Sequence, residues 1–159
     1  MSKPYIMEDF KNERNINVRY KFSGDEMHVL SQLTDDHHDI QLFFRIGKAN
    51  RKILEVKGQM NLQPFPDCSG ALEILENLKG LEINVGVKKN YRQRFEKKAG
   101  CTHITEIFMI TIDFIFARLY GTEIVDNEAE KDRRRRIGAE LLCQNESCHI
   151  FNRENLKEF

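Results

Sequence analysis

Apolar and polar residues alternate at Ile16, Val18, Tyr20 and Phe22, and again at Ile40, Leu42, Phe44 and Ile46. Successive side chains of a strand point to opposite faces, so a period of two predicts two strands with one face each on a core. The run Gly47-Lys48-Ala49-Asn50 has turn chemistry, and Leu54, Val56, Gly58 and Met60 then resume the alternation. Residues 40–60 therefore read as an antiparallel hairpin. A further strand over residues 27–33 is expected in the same sheet.

After Pro64-Phe65-Pro66 the period lengthens. Ala71, Leu72, Leu75 and Leu78 fall at helical spacing, with Asp67 placed as an N-cap and Gly80 where a helix end commonly needs a left-handed residue. Residues 81–99 have a basic middle and read as a short helix and loop. From Thr102 onward, Ile104, Ile107, Phe108, Thr111, Ile112, Ile115 and Leu119 mark one helix face, and Phe114 and Phe116 widen the apolar surface. That pattern predicts a long central helix ending near Gly121. Residues 128–140 read as a charge-dense helix carrying Arg133 to Arg136, and residues 148–159 as a returning strand or a surface wrap. The expected class is α+β, with an antiparallel sheet of three or four strands packed against helices.

A length of 159 residues suits one hydrophobic core. One domain over residues 1–159 is therefore expected, irregular over residues 1–14 and ending in the charged helix and tail of residues 128–159. Lys plus Arg and Asp plus Glu are 25 each, so no overall field favours nucleic acid as a partner. Within residues 133–136 the arginines are offset by Glu128, Glu130, Asp132 and Glu140, which reads as a solvated helix face. The first ten residues contain no apolar run suited to a signal segment, and no stretch approaches the roughly 18 apolar residues of a membrane span. The expectation is a cytoplasmic protein without a membrane partner. In that reducing setting Cys68, Cys101, Cys143 and Cys148 read as thiols or metal ligands in preference to disulfides.

Cys68 follows the expected cap of one helix and Cys101 precedes the first turn of another. The positive end of a helix favours thiolate, the form that attacks electrophiles and binds metals. His103 lies two residues after Cys101 and Glu106 three further on, so sulfur, imidazole and carboxylate can meet on one helix start. Zinc and iron both accept such donors, and Glu106 can alternatively orient the imidazole. His38 precedes the strand at Ile40, with Asp39 able to hold its second ring nitrogen. Cys143 with Cys148-His149 is a weaker pair, because its gap exceeds that of a zinc knuckle. Each residue also has a plainer reading: a free Cys is commonly buried as an apolar group, and a His at a helix start or polar turn is commonly a cap or surface residue.

The strings Gly100-Cys101-Thr102-His103-Ile104-Thr105-Glu106 and Leu33-Thr34-Asp35-Asp36-His37-His38-Asp39-Ile40 resemble the signature of an uncharacterised bacterial family, domain of unknown function number twenty-eight eighty-nine. Met60 with Pro64 and Cys68, Leu78-Lys79-Gly80-Leu81, and Ser147-Cys148-His149 fit the same resemblance, which carries no activity with it. The order of a polar residue and Asp before a hairpin, a Cys after it and a Cys opening a late helix is also similar in layout to iron–sulfur scaffold proteins. That likeness implies His38 with Asp39, Cys68 and Cys101 converging at one end of the sheet, with His103 nearby. A His in place of one Cys favours a mononuclear zinc or iron ion over a transferable cluster.

The sequence thus points to a metal-binding protein with Cys68, Cys101 and His38 or His103 as ligands. If one position stays open, the ion serves a hydrolase, lyase or decarboxylase acting on a small molecule, with Glu106 or Asp39 handling protons. The alternatives are an iron–sulfur or metal scaffold, a non-catalytic subunit that uses residues 128–140 against a partner protein or a second copy of itself, and a thiol enzyme with Cys101 as nucleophile and His103 as base.

Overall fold

The computed structural model describes residues 12–95 and 100–121. The chain divides into one unit over residues 1–112 and another over residues 113–159. In the first, β1 (Asn15–Ser23), β2 (Glu26–Thr34), β3 (Asp39–Gly47) and β4 (Ile53–Leu62) pair antiparallel in chain order. The α+β class and the hairpin of β3 and β4 are those the alternation predicts.

Register follows the apolar pattern. Met27 lies opposite Ile46, Val29 opposite Phe44 and Leu33 opposite Ile40, so β2 and β3 bury one face that is apolar except for Ser31, whereas on the edge strand β1 Ile16 and Val18 are half-buried and Tyr20 and Phe22 exposed, short of the core contact the alternation predicts. The other face is mixed, with Leu30 opposite Phe43 among charged residues. There Arg45 on β3 forks onto Glu26 of β2 through Nε at 2.9 Å and Nη2 at 2.7 Å, and reaches Glu55 of β4 at 3.3 Å. The hydrogen bonds from Arg45 and then His28 lower the Glu26 carboxyl to about 2.

Two features depart from the sequence reading. A register shift between Arg45 and Ile46 sets Ile53 opposite Ile46 and Glu55 opposite Arg45, so Ile53 enters the core and Leu54 is only half-buried. The extra residue of a bulge turns the next side chain to the other face. The second is the helix after β4. It is a 3-10 helix, Pro66–Leu78, with Pro66 in the first turn and Phe65 at the N-cap position without a side-chain cap. Asp67 lies inside that turn, so it is not the cap. Leu72, Leu75 and Leu78 recur every third residue, which aligns them along one edge at 3.0 residues per turn. Leu72 and Leu75 pack down on Gly58 of β4, where a Cβ would stand 2.6 Å from each. Gly80, at φ 80°, ends the element as expected, and the chain then runs beside β4, with Ile83 donating to the Arg51 carbonyl at 2.7 Å.

Residues 81–99 contribute α1 (Val87–Phe95), which buries Val87, Tyr91 and Phe95 at spacings of four. Helix α2 (Thr102–Gly121) begins in the first unit, where Ile104, Ile107, Phe108, Thr111 and Ile112 are buried. Tyr91 stacks on Phe108 at 4.0 Å between ring centres, Phe108 lies 6.2 Å from Phe44 of β3, and Tyr91 Oη and Thr105 Oγ1 are 2.9 Å apart. These contacts lay the start of α2 across the buried face of the sheet with α1 beside it. In the second unit, residues 113–121 continue as helix, with the Arg118 guanidinium 5.8 Å from the Phe114 ring centre. No helix among the described residues is long and apolar enough to cross a membrane. The readings made for residues 1–11, 96–99 and 122–159, including the charged helix, Cys143, Cys148 and His149, lie outside the described residues.

Candidate functional site

In an antiparallel meander every second turn falls at the same end. Asn15 pairs with Thr34, Thr34 with Asp39 and Asp39 with Leu62, so the start of β1, the turn 35–38 and the end of β4 lie together. Helix α2 begins at this end as well, because His103 in its first turn contacts the His38 ring.

The turn is organised by Asp35. Its Oδ1 accepts the His37 backbone N–H at 2.9 Å, an Asx turn, and is 2.8 Å from His38 Nδ1. Asp35 N–H closes the loop on the His38 carbonyl at 2.9 Å. Oδ2 takes Arg14 through Nε at 2.8 Å and Nη2 at 2.7 Å. Desolvation works to raise the Asp35 pKa, but the His37 N–H, the His38 ring and Arg14 outweigh it and hold the carboxyl well below its ordinary range. An ionised carboxylate only accepts, so His38 Nδ1–H is the donor in this bond. Among the described residues the His38 ring makes no other hydrogen bond.

The second half of the site comes from α2. Gly100 approaches the Phe95 carbonyl so closely that a Cβ would collide with that oxygen. Cys101 then occupies the N-cap position, its carbonyl accepting the Thr105 N–H at 3.0 Å. The half-buried Cys101 Sγ stands 3.9 Å from His103 Nδ1, and the His103 and His38 rings lie 3.9 Å apart, tilted by 38°. Burial lowers the His103 pKa, and the neighbouring His38 and Arg14 add to the effect. Arg14 Nη1 also donates to Glu106 Oε2 at 3.0 Å, so one guanidinium spans the turn and the helix.

Residues 17–117 match the model of a family described as protein of unknown function (DUF2889). The chain belongs to the DUF2889 family. No curated protein and no solved structure matches the chain. The DUF2889 region takes in Asp35, His38, Cys68, Cys101, His103 and Glu106, while Arg14 precedes it.

Of the six residues singled out from the sequence, His38, Cys101 and His103 form one contact group, and Glu106 joins it through Arg14. Asp39 does not hold the His38 ring. Its Oδ1 accepts Gln32 at 2.7 Å and its Oδ2 accepts Asn61 at 3.0 Å, on the mixed face of the sheet opposite Ile40. The strand alternation decides this: when Ile40 turns inward, Asp39 must turn outward. Cys68 is a half-buried free thiol in the first turn of the 3-10 helix, six residues beyond Leu62, and its N–H donates to the Phe65 carbonyl at 3.1 Å. It lies after the strand that ends at the site, outside the contact group. Among the described residues no three His, Cys, Asp or Glu side chains are gathered closely enough to hold a metal ion. Sequence reasoning missed Asp35 and Arg14. Asp35 had a signal, an Asp two residues before a turn N–H and three before a His; Arg14, 21 positions from Asp35, had none.

Proposed function

We propose that the protein binds one zinc or iron ion at this end of the sheet through Cys101, His103 and His38, with Cys68 brought in from the segment after β4 as a further ligand. The observation that carries the reading is the 3.9 Å between Cys101 Sγ and His103 Nδ1. Metal bonds of about 2.3 Å to sulfur and about 2.0 Å to nitrogen at a tetrahedral angle separate the two donors by roughly 3.6 Å. The pair therefore needs only a small adjustment to chelate. His38 would join as a third donor after its ring, now 3.9 Å from that of His103, has moved, and the Asp35 carboxylate on its Nδ1 would orient it.

The number of protein ligands decides the use. With Cys68 outside the sphere, the fourth position takes water or a small-molecule substrate, and the ion acts as a Lewis acid in a hydrolytic, lyase or decarboxylating step with Glu106 moving protons. With Cys68 bound, the site is closed and the protein is a metal carrier or structural module. Elemental analysis of protein purified anaerobically without chelators tests the reading, repeated on Cys101→Ala and Cys68→Ala. Stoichiometric metal in the wild type, lost in Cys101→Ala, is expected; retention in Cys68→Ala selects the open site. Metal-free wild-type protein overturns the proposal.

One observation favours a second reading. Cys101 caps a helix with an imidazole nitrogen beside its sulfur, the arrangement of an activated thiol. On that reading the wild type is metal-free and iodoacetamide alkylates Cys101 faster than Cys68, an advantage lost in His103→Gln.

A further inference from the structure

We infer that β1 is a pairing edge for a second copy of this chain, joined antiparallel about Val18 so that two four-stranded sheets become one. The inference is independent of the metal-binding reading. Among the described residues β1 pairs with β2 alone, from Asn15 opposite Thr34 to Ser23 opposite Glu26, without a register shift. It carries neither proline nor bulge, two of the devices that keep a sheet edge from pairing with another chain.

The turn after β1 decides which backbone groups face that edge. Ser23 and Glu26 flank the two-residue turn Gly24-Asp25, with Gly24 at φ 56° in its first position. Such a turn makes its flanking residues a hydrogen-bonded pair, and hydrogen-bonded and non-hydrogen-bonded pairs then alternate along the ladder. Asn15, Asn17, Arg19 and Lys21 therefore bond to β2, while Ile16, Val18, Tyr20 and Phe22 turn their N–H and C=O groups toward the edge. A twofold axis beside an edge-facing residue gives that residue and its copy a hydrogen-bonded pair, and only Val18 and Tyr20 leave most of β1 paired. Centring on Tyr20 sets Arg19 opposite Lys21 of the second copy, a like-charge pair made twice. Centring on Val18 sets Asn17 opposite Arg19 and Asn15 opposite Lys21, and Glu13, just before β1, falls diagonal to Lys21. The neutral and acidic half of the strand thus meets its cationic half. On the face that carries Ser31, Val18 meets its copy and Ile16 meets Tyr20, so the apolar face continues across the axis. An acidic peptide would answer Arg19 and Lys21 alone, whereas a second copy matches both halves.

Sedimentation of the full chain tests the inference. A dimer is expected, and a monomer throughout the micromolar range overturns it, whatever else meets β1. Asn17 probes the register, because it is exposed and lies on the face away from the core. Asn17→Glu places a carboxylate opposite Arg19 twice per dimer and should tighten association about 2- to 30-fold, the combined effect of two cross-strand pairs of opposite charge. Asn17→Lys should loosen it by a similar factor, and high salt should shrink both effects. Val18→Pro removes the edge-facing N–H at the axis and spares the bonds to β2, so it should leave a folded monomer by circular dichroism. A dimer whose affinity neither Asn17 variant changes overturns the inference, wherever its interface lies.

Discussion

The hydroxyl pair Ser31 and Thr111 pins α2 to the sheet about two turns along from His103. Both residues are fully buried; Thr111 Oγ1 lies 2.6 Å from Ser31 Oγ and 2.7 Å from the Ile107 carbonyl. A hydroxyl has one proton. The carbonyl can only accept, so Thr111 donates to Ile107 and Ser31 donates to Thr111. Thr111→Val keeps the shape and leaves the Ser31 hydroxyl buried without that acceptor, at a cost of about 1–3 kcal/mol. Ser31→Ala removes the donor but leaves Thr111 bonded to Ile107, costing about 0.5–1.5 kcal/mol. In the double variant both hydroxyls are replaced by apolar groups, and the loss should be smaller than the sum by about 1 kcal/mol. Equilibrium urea unfolding of all four proteins measures the coupling. Additivity within about 0.3 kcal/mol would refute the assigned bonding.

Three further outcomes follow from the same contacts. Gly100→Ala should cost about 1–3 kcal/mol in urea unfolding, because the new Cβ collides with the Phe95 carbonyl; a wild-type midpoint contradicts the close approach. The folded-state pKa of His103 is lowered from 6.5, so the folded chain binds fewer protons than the unfolded one just below that value. Stability should therefore be full above pH 6.5 and fall as the pH drops beneath it, and His103→Gln should flatten the decline between pH 7 and pH 5. Glu26 is lowered from 4.5 to about 2, so its contribution is present above pH 4.5 and lost as the pH falls toward 2. Glu26→Gln should be less acid-sensitive over that range, and because the pair with Arg45 is accessible to solvent, 1 M salt should narrow the difference; an unchanged acid transition counts against the ion pair.

Most of the sheet was legible because a period of two is decided locally. Ile40, Leu42, Phe44 and Ile46 can face a core only as a strand, and β2 and β3 are offset so that their apolar residues meet. The bulge at Ile53 was not legible, since Leu54, Val56, Gly58 and Met60 alternate just as well without it, and only pairing with β3 breaks the tie. The 3-10 helix was read as an ordinary helix for a similar reason: Leu72, Leu75 and Leu78 suit a period of 3.0 or 3.6, and the packing of Leu72 and Leu75 on Gly58 lies far away in sequence. At the site, Cys101 and His103 could be found because they are close together in one motif. Adjacency in the sequence suggests Asp39 as the partner of His38, whereas a turn brings residue i beside i+3 and a strand sends neighbours apart.

Stability alone gives no reason for this end of the sheet to be polar. An apolar turn against an apolar helix start would bury more area without asking Asp35, at 11% side-chain exposure, to remain ionised. Ionised Asp35 instead holds the turn by accepting the His37 N–H, the His38 ring and the Arg14 guanidinium. Burial first, and then the neighbouring His38 and Arg14, disfavour the protonated form of His103. Protons compete with metals for the same lone pairs, so on the metal-binding proposal this favours a cation over a proton at His103. Acid should therefore destabilise the fold at His103 and, on that proposal, release the ion.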